Sequence, residues 1–203
     1  MSTGPVRMRP RLDARTVAFA ALMGAFGNAL FLLSQSLQLI PGGQVALDLS
    51  HIATFISALY GGPLVGTLVG GLVGLGPGLY FGSVAGAIGL YLPMMVLGKA
   101  LTGLTAGLLS RALRSRSSRL VLLIVPISFL PECSIIIAFF TVLVPWLYPI
   151  LPVVLVKAWI EIIFMAFLMG ALAGNKGFVE LMGKLFPVDQ KTGDIGPYAP
   201  QNS

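Results

Sequence analysis

Four charged side chains lie inside long apolar stretches of this 203-residue chain: Lys99, Glu132, Lys157 and Glu161. A charge at membrane depth costs on the order of 2.5 to 3.5 kcal/mol, so such residues usually face an interior cavity or one another. Lys157 and Glu161 are four positions apart and share a helix face, which predicts either an ion pair or two groups that meet a ligand. Lys99 lies nearer one end of its stretch, where we expect its ammonium group to extend to the surface.

The residue types give little support to metal or covalent chemistry. Cys133 is the only cysteine and His51 the only histidine, so the chain offers no disulfide framework, zinc-ligand spacing or Cys–His nucleophile pair. Glu132 and Glu161 could serve an intramembrane enzyme that acts on lipid, but catalytic carboxylates need a close partner or a metal ion. We therefore expect a protein without catalytic residues, metal ions or cofactors.

The elements that position these side chains must be membrane helices. Hydrophobic residues make up 56% and charged residues 10% of the chain, and the mean hydropathy is +0.92, whereas soluble domains carry about 25% charged residues. In hydrocarbon every backbone polar group needs an internal partner, which leaves helices or closed barrels. The apolar runs lack the alternation of barrel strands. The composition therefore predicts an all-α integral membrane protein that crosses its membrane several times.

Five apolar intervals could cross a bilayer. Four are clear and cover residues 16–39, 84–113, 120–144 and 150–173. The fifth, residues 52–75, contains the triplet Gly61-Gly62-Pro63. Because proline ends or kinks a helix, this interval is either one helix or two short helices.

The distribution of positive charge decides between five and six crossings, because lysine and arginine collect on the cytoplasmic side. With a break at the triplet, all three basic groups of the chain lie on one side. We therefore predict a bundle of six transmembrane helices, with short tilted helices 2 and 3 and with both termini in the cytoplasm. The basic groups are Arg7, Arg9, Arg11 and Arg15, then Arg111, Arg114, Arg116 and Arg119, then Lys176, Lys184 and Lys191.

Three regions follow from this topology: a basic cytoplasmic N-terminus at residues 1–14, a membrane domain at residues 15–174, and a cytoplasmic tail at residues 175–203. The tail begins as a short amphipathic stretch. We expect it to be disordered beyond residue 187, where the sequence is polar and contains proline and glycine.

Small residues recur every four positions and predict grooves through which helices approach closely. We expect most of these grooves to pack the monomer, whereas the groove on the first helix could equally receive another protein. In chain order they are Ala21/Ala25/Ala29, Gly66/Gly70/Gly74/Gly78, Gly103/Gly107 and Gly170/Gly174.

The longest outer connection, residues 34–50, carries polar residues that could meet a ligand. Its Pro41-Gly42-Gly43 turn allows it to fold back over the bundle, which brings Gln44, Asp48, Ser50 and His51 to the outer mouth. Asp48 or Ser50 is expected to cap the helix that follows. Asp48 could instead meet a ligand, and Gln44 is expected to touch a ligand.

Aromatic residues complete the predicted site. Tyr91 lies toward a predicted outer end, where interfacial aromatic residues collect, and Trp159 lies well within a span and is assigned a stacking role. The predicted substrate-binding residues are Gln44, Asp48, His51, Tyr91, Glu132, Lys157, Trp159 and Glu161.

Three segments together resemble the substrate-binding S components of energy-coupling factor (ECF) vitamin transporters. They are RTVAFAALMGAFGNAL, GGQVALDLSHIATFISALYGGPLVGTLVGGL and LGKALTGLTAGLLSRAL. The similarity covers residues 15–174 and rests on loose small-residue patterns in this order. It implies a six-helix bundle in the plasma membrane that captures a micronutrient outside the cell and delivers it inward with a transmembrane coupling subunit and two ATPase subunits.

The resemblance also implies roles for particular residues. In the family an AxxxA surface on the first helix contacts the coupling subunit, and Ala21 and Ala25 match it, with Ala20 and Gly24 as an overlapping alternative. The first outer loop covers the pocket in the family, and Gln44 fits such a lid best. The chain has no GxxxxGK[ST] motif, so ATP hydrolysis is expected to come from other chains.

Riboflavin is the first substrate guess, because Gln44 and Lys157 match polar loop residues and a lysine of the riboflavin-binding branch. The asparagine that accompanies this lysine in that branch is missing here. Folate and a thiamine or pyridoxine precursor remain alternatives. A stand-alone secondary transporter is the competing function, although such proteins often repeat their helix breaks in both halves and the break at Pro63 has no clear counterpart.

Overall fold

The computed structural model describes residues 14–36, 48–113 and 118–185, which form helices joined by short connections and contain no strand. Five helical segments are long and apolar enough to cross a membrane. These helices confirm the prediction of an all-α protein whose segments are long and apolar enough to lie in a membrane. The helices are α1 (Ala14–Ser36), α2 (His51–Val84), α3 (Ile88–Ala112), α4 (Ser118–Ala138), a π-helical turn (Phe139–Leu143), a 3-10 helix (Pro145–Ile150), α5 (Leu151–Gly174) and α6 (Lys176–Leu185).

Helix α2 reverses its direction at the Gly-Gly-Pro triplet. Gly62 leaves helical geometry with φ 83° and ψ −174°, a backbone region that favours glycine. Beyond it the chain folds back on itself, because a Cβ placed on Gly66 would lie 2.7 Å from the Cβ of Ala58. The break therefore lies where the sequence placed it, and the two halves of α2 pack side by side.

The second half of α2 is longer than predicted. It continues past the predicted end at residue 75 to Val84, and α3 begins at Ile88 rather than at Val84. The reason is that Pro77 is tolerated inside the helix. The side chain of Asn28 bridges the helix just before this proline: its Nδ2 donates to the carbonyl of Leu72 at 2.9 Å, and its Oδ1 accepts from the backbone N–H of Gly76 at 2.7 Å.

The groove predicted along Gly66, Gly70, Gly74 and Gly78 is filled by α3. A Cβ on Gly74 would lie 2.6 Å from the carbonyl oxygen of Met95, and the faces of the other three glycines also lie against the α3 backbone. Close approach of two backbones is the advantage that glycine brings to helix packing in lipid. These glycines therefore pack the monomer, as expected.

Helix α1 packs through one of its two small-residue faces. Ala20, Gly24 and Phe31 are buried, and a Cβ on Gly24 would lie 2.7 Å from the Cβ of Leu72 on α2. Ala21 and Ala25 lie on the other face and are exposed. The Ala20/Gly24 register therefore packs the monomer, and no described residue of the chain buries Ala21 and Ala25.

Basic residues gather at one end of the bundle. The guanidinium of Arg111 lies against the reversal of α2, where a Cβ on Gly62 would be 2.6 Å from its Nη2. At the same end, the Tyr60 and Phe178 rings are in edge contact at 5.6 Å, and Arg15 donates to the carbonyl of Lys184 at 3.1 Å. The amphipathic start of the tail is helix α6, and the predicted disorder beyond residue 187 falls outside the described residues.

Candidate functional site

A cavity of about 380 Å³ lies among α1, α2, α3, α4 and α5, a volume within the usual range for small-molecule sites. Its walls are mostly aromatic, methionine and aliphatic side chains. Charged or ionisable side chains from four separate parts of the chain meet in it, and these are Asp48, His51, Lys99, Glu132, Lys157 and Glu161.

Lys99 is the centre of the charged cluster. Its Nζ donates to Asp48 Oδ2 at 2.9 Å and to Ser50 Oγ at 3.0 Å, and it lies 3.0 Å from His51 Nε2. These three partners use all three donors of the ammonium group. The side chain is 2% exposed, so the expectation that Lys99 extends to the surface is wrong. The partners that hold it inside are the residues immediately before and at the start of α2.

This arrangement assigns the tautomer of His51. An ammonium group can only donate, so Nε2 must accept from Lys99 and the ring proton lies on Nδ1. That Nδ1 atom is buried and has no hydrogen-bond partner among the described residues. The imidazole is stacked on Phe55 with ring centroids 5.7 Å apart, which fixes its plane.

Glu132 faces His51 from α4. Its Oε2 accepts a hydrogen bond from Thr102 Oγ1 at 2.5 Å, and its Oε1 lies 3.6 Å from His51 Nε2. That distance is too long for a hydrogen bond, and Nε2 has no proton to donate in the tautomer assigned above. Glycine at position 98 leaves room for this side chain, because a Cβ there would lie 3.0 Å from Glu132 Cγ.

The predicted ion pair on α5 is present and also contacts the segment before α2. Lys157 Nζ lies 3.5 Å from Glu161 Oε1, and the same oxygen accepts from the backbone N–H of Asp48 at 2.6 Å. Both residues also line the cavity. The two residues therefore form a structural ion pair and, at the same time, part of the cavity wall.

Asp48 lies outside the spans and joins the network without capping α2. Its Oδ1 accepts from the backbone N–H of Ser50 at 2.9 Å, and Ser50, at the N-cap position, makes no side-chain cap bond. Burial alone would raise the pKa of Asp48, but the Lys99 ammonium and the hydrogen bond with Ser50 outweigh burial and hold that pKa below its ordinary value. Asp48 is therefore an anion at neutral pH.

The structure brings most of the predicted site residues together. Trp159 does not line the cavity; its ring packs edge-on against Phe129 at 5.6 Å. Gln44 falls outside the described residues. The predicted substrate-binding residues did not include Lys99, Ser50 or Thr102. Those of the predicted set that line the cavity are Asp48, His51, Tyr91, Glu132, Lys157 and Glu161.

The cluster offers recognition groups rather than a metal site. In residues 14–36, 48–113 and 118–185, no group of three or more His, Cys, Asp or Glu side chains is placed to hold a metal ion. The charged groups face an apolar chamber, where electrostatic and hydrogen-bond contacts to a ligand are stronger than in water. Comparison with known proteins finds no matching family model, no matching curated protein and no matching solved structure.

Proposed function

We propose that this protein is the substrate-capture subunit of an ECF-type importer, which binds a vitamin or vitamin precursor outside the cell. A transmembrane coupling subunit and two ATPase subunits would then drive its delivery inward. The observation that carries the proposal is the cavity itself. An apolar membrane bundle holds six charged or ionisable side chains around a chamber of about 380 Å³, and charges at membrane depth usually mark a binding site or pathway.

The arrangement of basic residues supports an orientation with the cavity facing outward. Arg15, Arg111 and Lys184 lie at one end of the bundle, and the cavity lies towards the other end, beside Asp48 and Ile150. By the positive-inside rule the basic end is cytoplasmic. We propose that the reversal at Gly62 adds a crossing, which would make six crossings with the N-terminus and the tail on the cytoplasmic side.

The exposed face of α1 supports a partner in the membrane. Ala21 and Ala25 are exposed there together with Leu22 and Phe26, and a stripe of small residues allows another helix to approach closely. We propose this face as the contact with the coupling subunit.

A binding panel tests the first part of the proposal. The protein purified into lipid nanodiscs is titrated with riboflavin, thiamine, folate, biotin and pyridoxine vitamers by calorimetry, and the compounds retained on purification are identified by mass spectrometry. Tight binding of one compound is the expected result. Absence of binding across the panel, together with no retained compound, would remove the proposal.

An uptake assay tests the partner face. Tryptophan at Ala21 and Ala25 together is expected to abolish uptake and leave binding unchanged, whereas Leu123→Trp, on a 59% exposed residue of α4, should leave both unchanged. If the alanine variant loses binding as well, this face packs the monomer. Uptake in a host that lacks coupling subunits and ATPases would instead identify a stand-alone secondary transporter.

A further inference from the structure

The side chains around the cavity are not balanced in charge. Asp48, Glu132 and Glu161 supply three carboxylates, Lys99 and Lys157 supply two ammonium groups, and His51 is neutral in the assigned tautomer. The described residues of the cavity therefore carry one net negative charge. An uncompensated charge in an apolar bundle is costly, so a ligand that brings a positive charge gains from neutralising it.

The hydrogen bonds locate the unmatched negative charge at Glu132. Both carboxylate oxygens of Asp48 accept hydrogen bonds, and Glu161 Oε1 accepts from a backbone N–H beside Lys157. Glu132 Oε2 accepts from Thr102. Glu132 Oε1 has the 3.6 Å approach of His51 Nε2, which carries no proton, and no hydrogen bond from any described residue.

The walls suit a cation with a flat apolar body. Phe31, Phe81, Tyr91, Phe129 and Phe140 surround the chamber, and aromatic faces attract a positively charged nitrogen by their quadrupole. A volume of about 380 Å³ admits a compound of one or two rings.

We propose that the ligand of this cavity is a small organic cation, an amine or a charged nitrogen heterocycle, whose positive nitrogen lies at Glu132 Oε1. Its ring lies between the aromatic walls. The inference rests on the proposed capture function and names its substrate class. Neutral compounds such as riboflavin, and anions such as folate and biotin, leave the carboxylate unmatched and are expected to bind more weakly.

Matched ligands test the charge directly. Pyridoxamine, pyridoxine and 4-pyridoxic acid share one ring and carry a net positive, zero and negative charge near neutral pH. Thiamine and thiochrome form a second pair, cationic and neutral. In nanodiscs, the cationic member of at least one set should bind on the order of tenfold or more tighter than its neutral partner, as expected for a hydrogen bond to a charged group.

A variant locates the contact. Glu132→Gln keeps the shape and the acceptor but removes the charge, so it should weaken binding of the cation about tenfold or more and change binding of the neutral partner little. Glu180→Gln, on an exposed carboxylate of α6, is the matched control and should change neither. The wild-type ligand series gives a result even if the Glu132 variant does not fold.

The outcomes separate the two proposals. Equal or tighter binding of the neutral or anionic members in both sets, or a retained compound without positive charge, would overturn the cationic ligand and leave the capture function intact. The same conclusion follows if Glu132→Gln weakens the neutral partner as much as the cation. Failure of every vitamin and precursor to bind would overturn both.

Discussion

Replacing Lys99 with methionine tests whether the charged cluster is organised as described. Methionine fills a similar volume and adds no charge, so the substitution avoids a large packing defect. It removes the hydrogen bonds to Asp48 Oδ2 and Ser50 Oγ and the contact with His51 Nε2. Asp48 is left as an anion with its nearest cation gone.

The expected loss in the free energy of unfolding is large because Lys99 is 2% exposed. Removing one partner of a buried ion pair typically costs about 3 to 5 kcal/mol, since the remaining charge stays buried without compensation. At about 1.4 kcal/mol per tenfold change, the folding equilibrium should fall by roughly a thousandfold. The pKa of Asp48 lies below its ordinary value, so its contribution to stability is complete at neutral pH and is lost only on acidification below the unfolded value.

The assay is reversible unfolding in mixed micelles with increasing denaturing detergent, which gives the free energy of unfolding. Lys157→Met is the comparison variant, because Lys157 has one ionic partner at 3.5 Å and a side chain 22% exposed. Glu161, the carboxylate it leaves behind, keeps the hydrogen bond from the backbone N–H of Asp48, so this variant should cost clearly less than Lys99→Met. The double variant Lys99→Met with Asp48→Asn should recover much of the loss. Equal costs for the two lysines, or no recovery in the double variant, would refute the reasoning.

Three further predictions concern the backbone packing and use the same assay. Gly70→Ala should cost about 1 to 3 kcal/mol, because its Cβ meets the backbone carbonyl of α3, whereas Gly89→Ala, with nothing within 4 Å, should cost nothing; equal effects would contradict the packing. Gly62→Ala should cost about 1 to 3 kcal/mol, because φ 83° with ψ −174° is a backbone region that essentially only glycine adopts; no loss of stability would count against the reversal described for α2. Asn28→Leu should cost about 1 to 3 kcal/mol by leaving backbone groups of α2 unpaired, and a neutral effect would show that they find other partners.

The position of the reversal in α2 was predictable because its cause is local, although the distribution of positive charge was needed to choose two helices over one. Gly62 adopts a positive φ and Pro63 has no backbone N–H, so both residues act at their own positions. The end of α2 had no such local cause. The sequence around Pro77 resembles a turn, and the side chain that supports a helix there belongs to Asn28, 48 residues away from Gly76 in the chain. A contact of this kind can be recognised only once the packing of α1 against α2 is known.

The same distinction explains the site. Lys157 and Glu161 lie on one helix, so their spacing alone predicted their contact. Lys99 pairs with Asp48 across a separation of 51 residues, and its position along the helix suggested an extended side chain instead. Likewise, periodicity on α1 gave two overlapping registers, and only the contact of Gly24 with Leu72 distinguishes the packed face from the exposed one.

The glycine groove and the charged cluster depend on each other. The glycine at position 70 lies directly against the backbone carbonyl of Lys99, and Gly98 makes room for Glu132 on the neighbouring helix. A side chain at either position would push apart the helices that bring Lys99 to Asp48 and Glu132 to His51. The small residues that identify a membrane bundle in the sequence therefore also set the distances within the candidate site. For this reason a packing substitution at Gly70 should disturb ligand binding as well as folding, although the residue does not line the cavity.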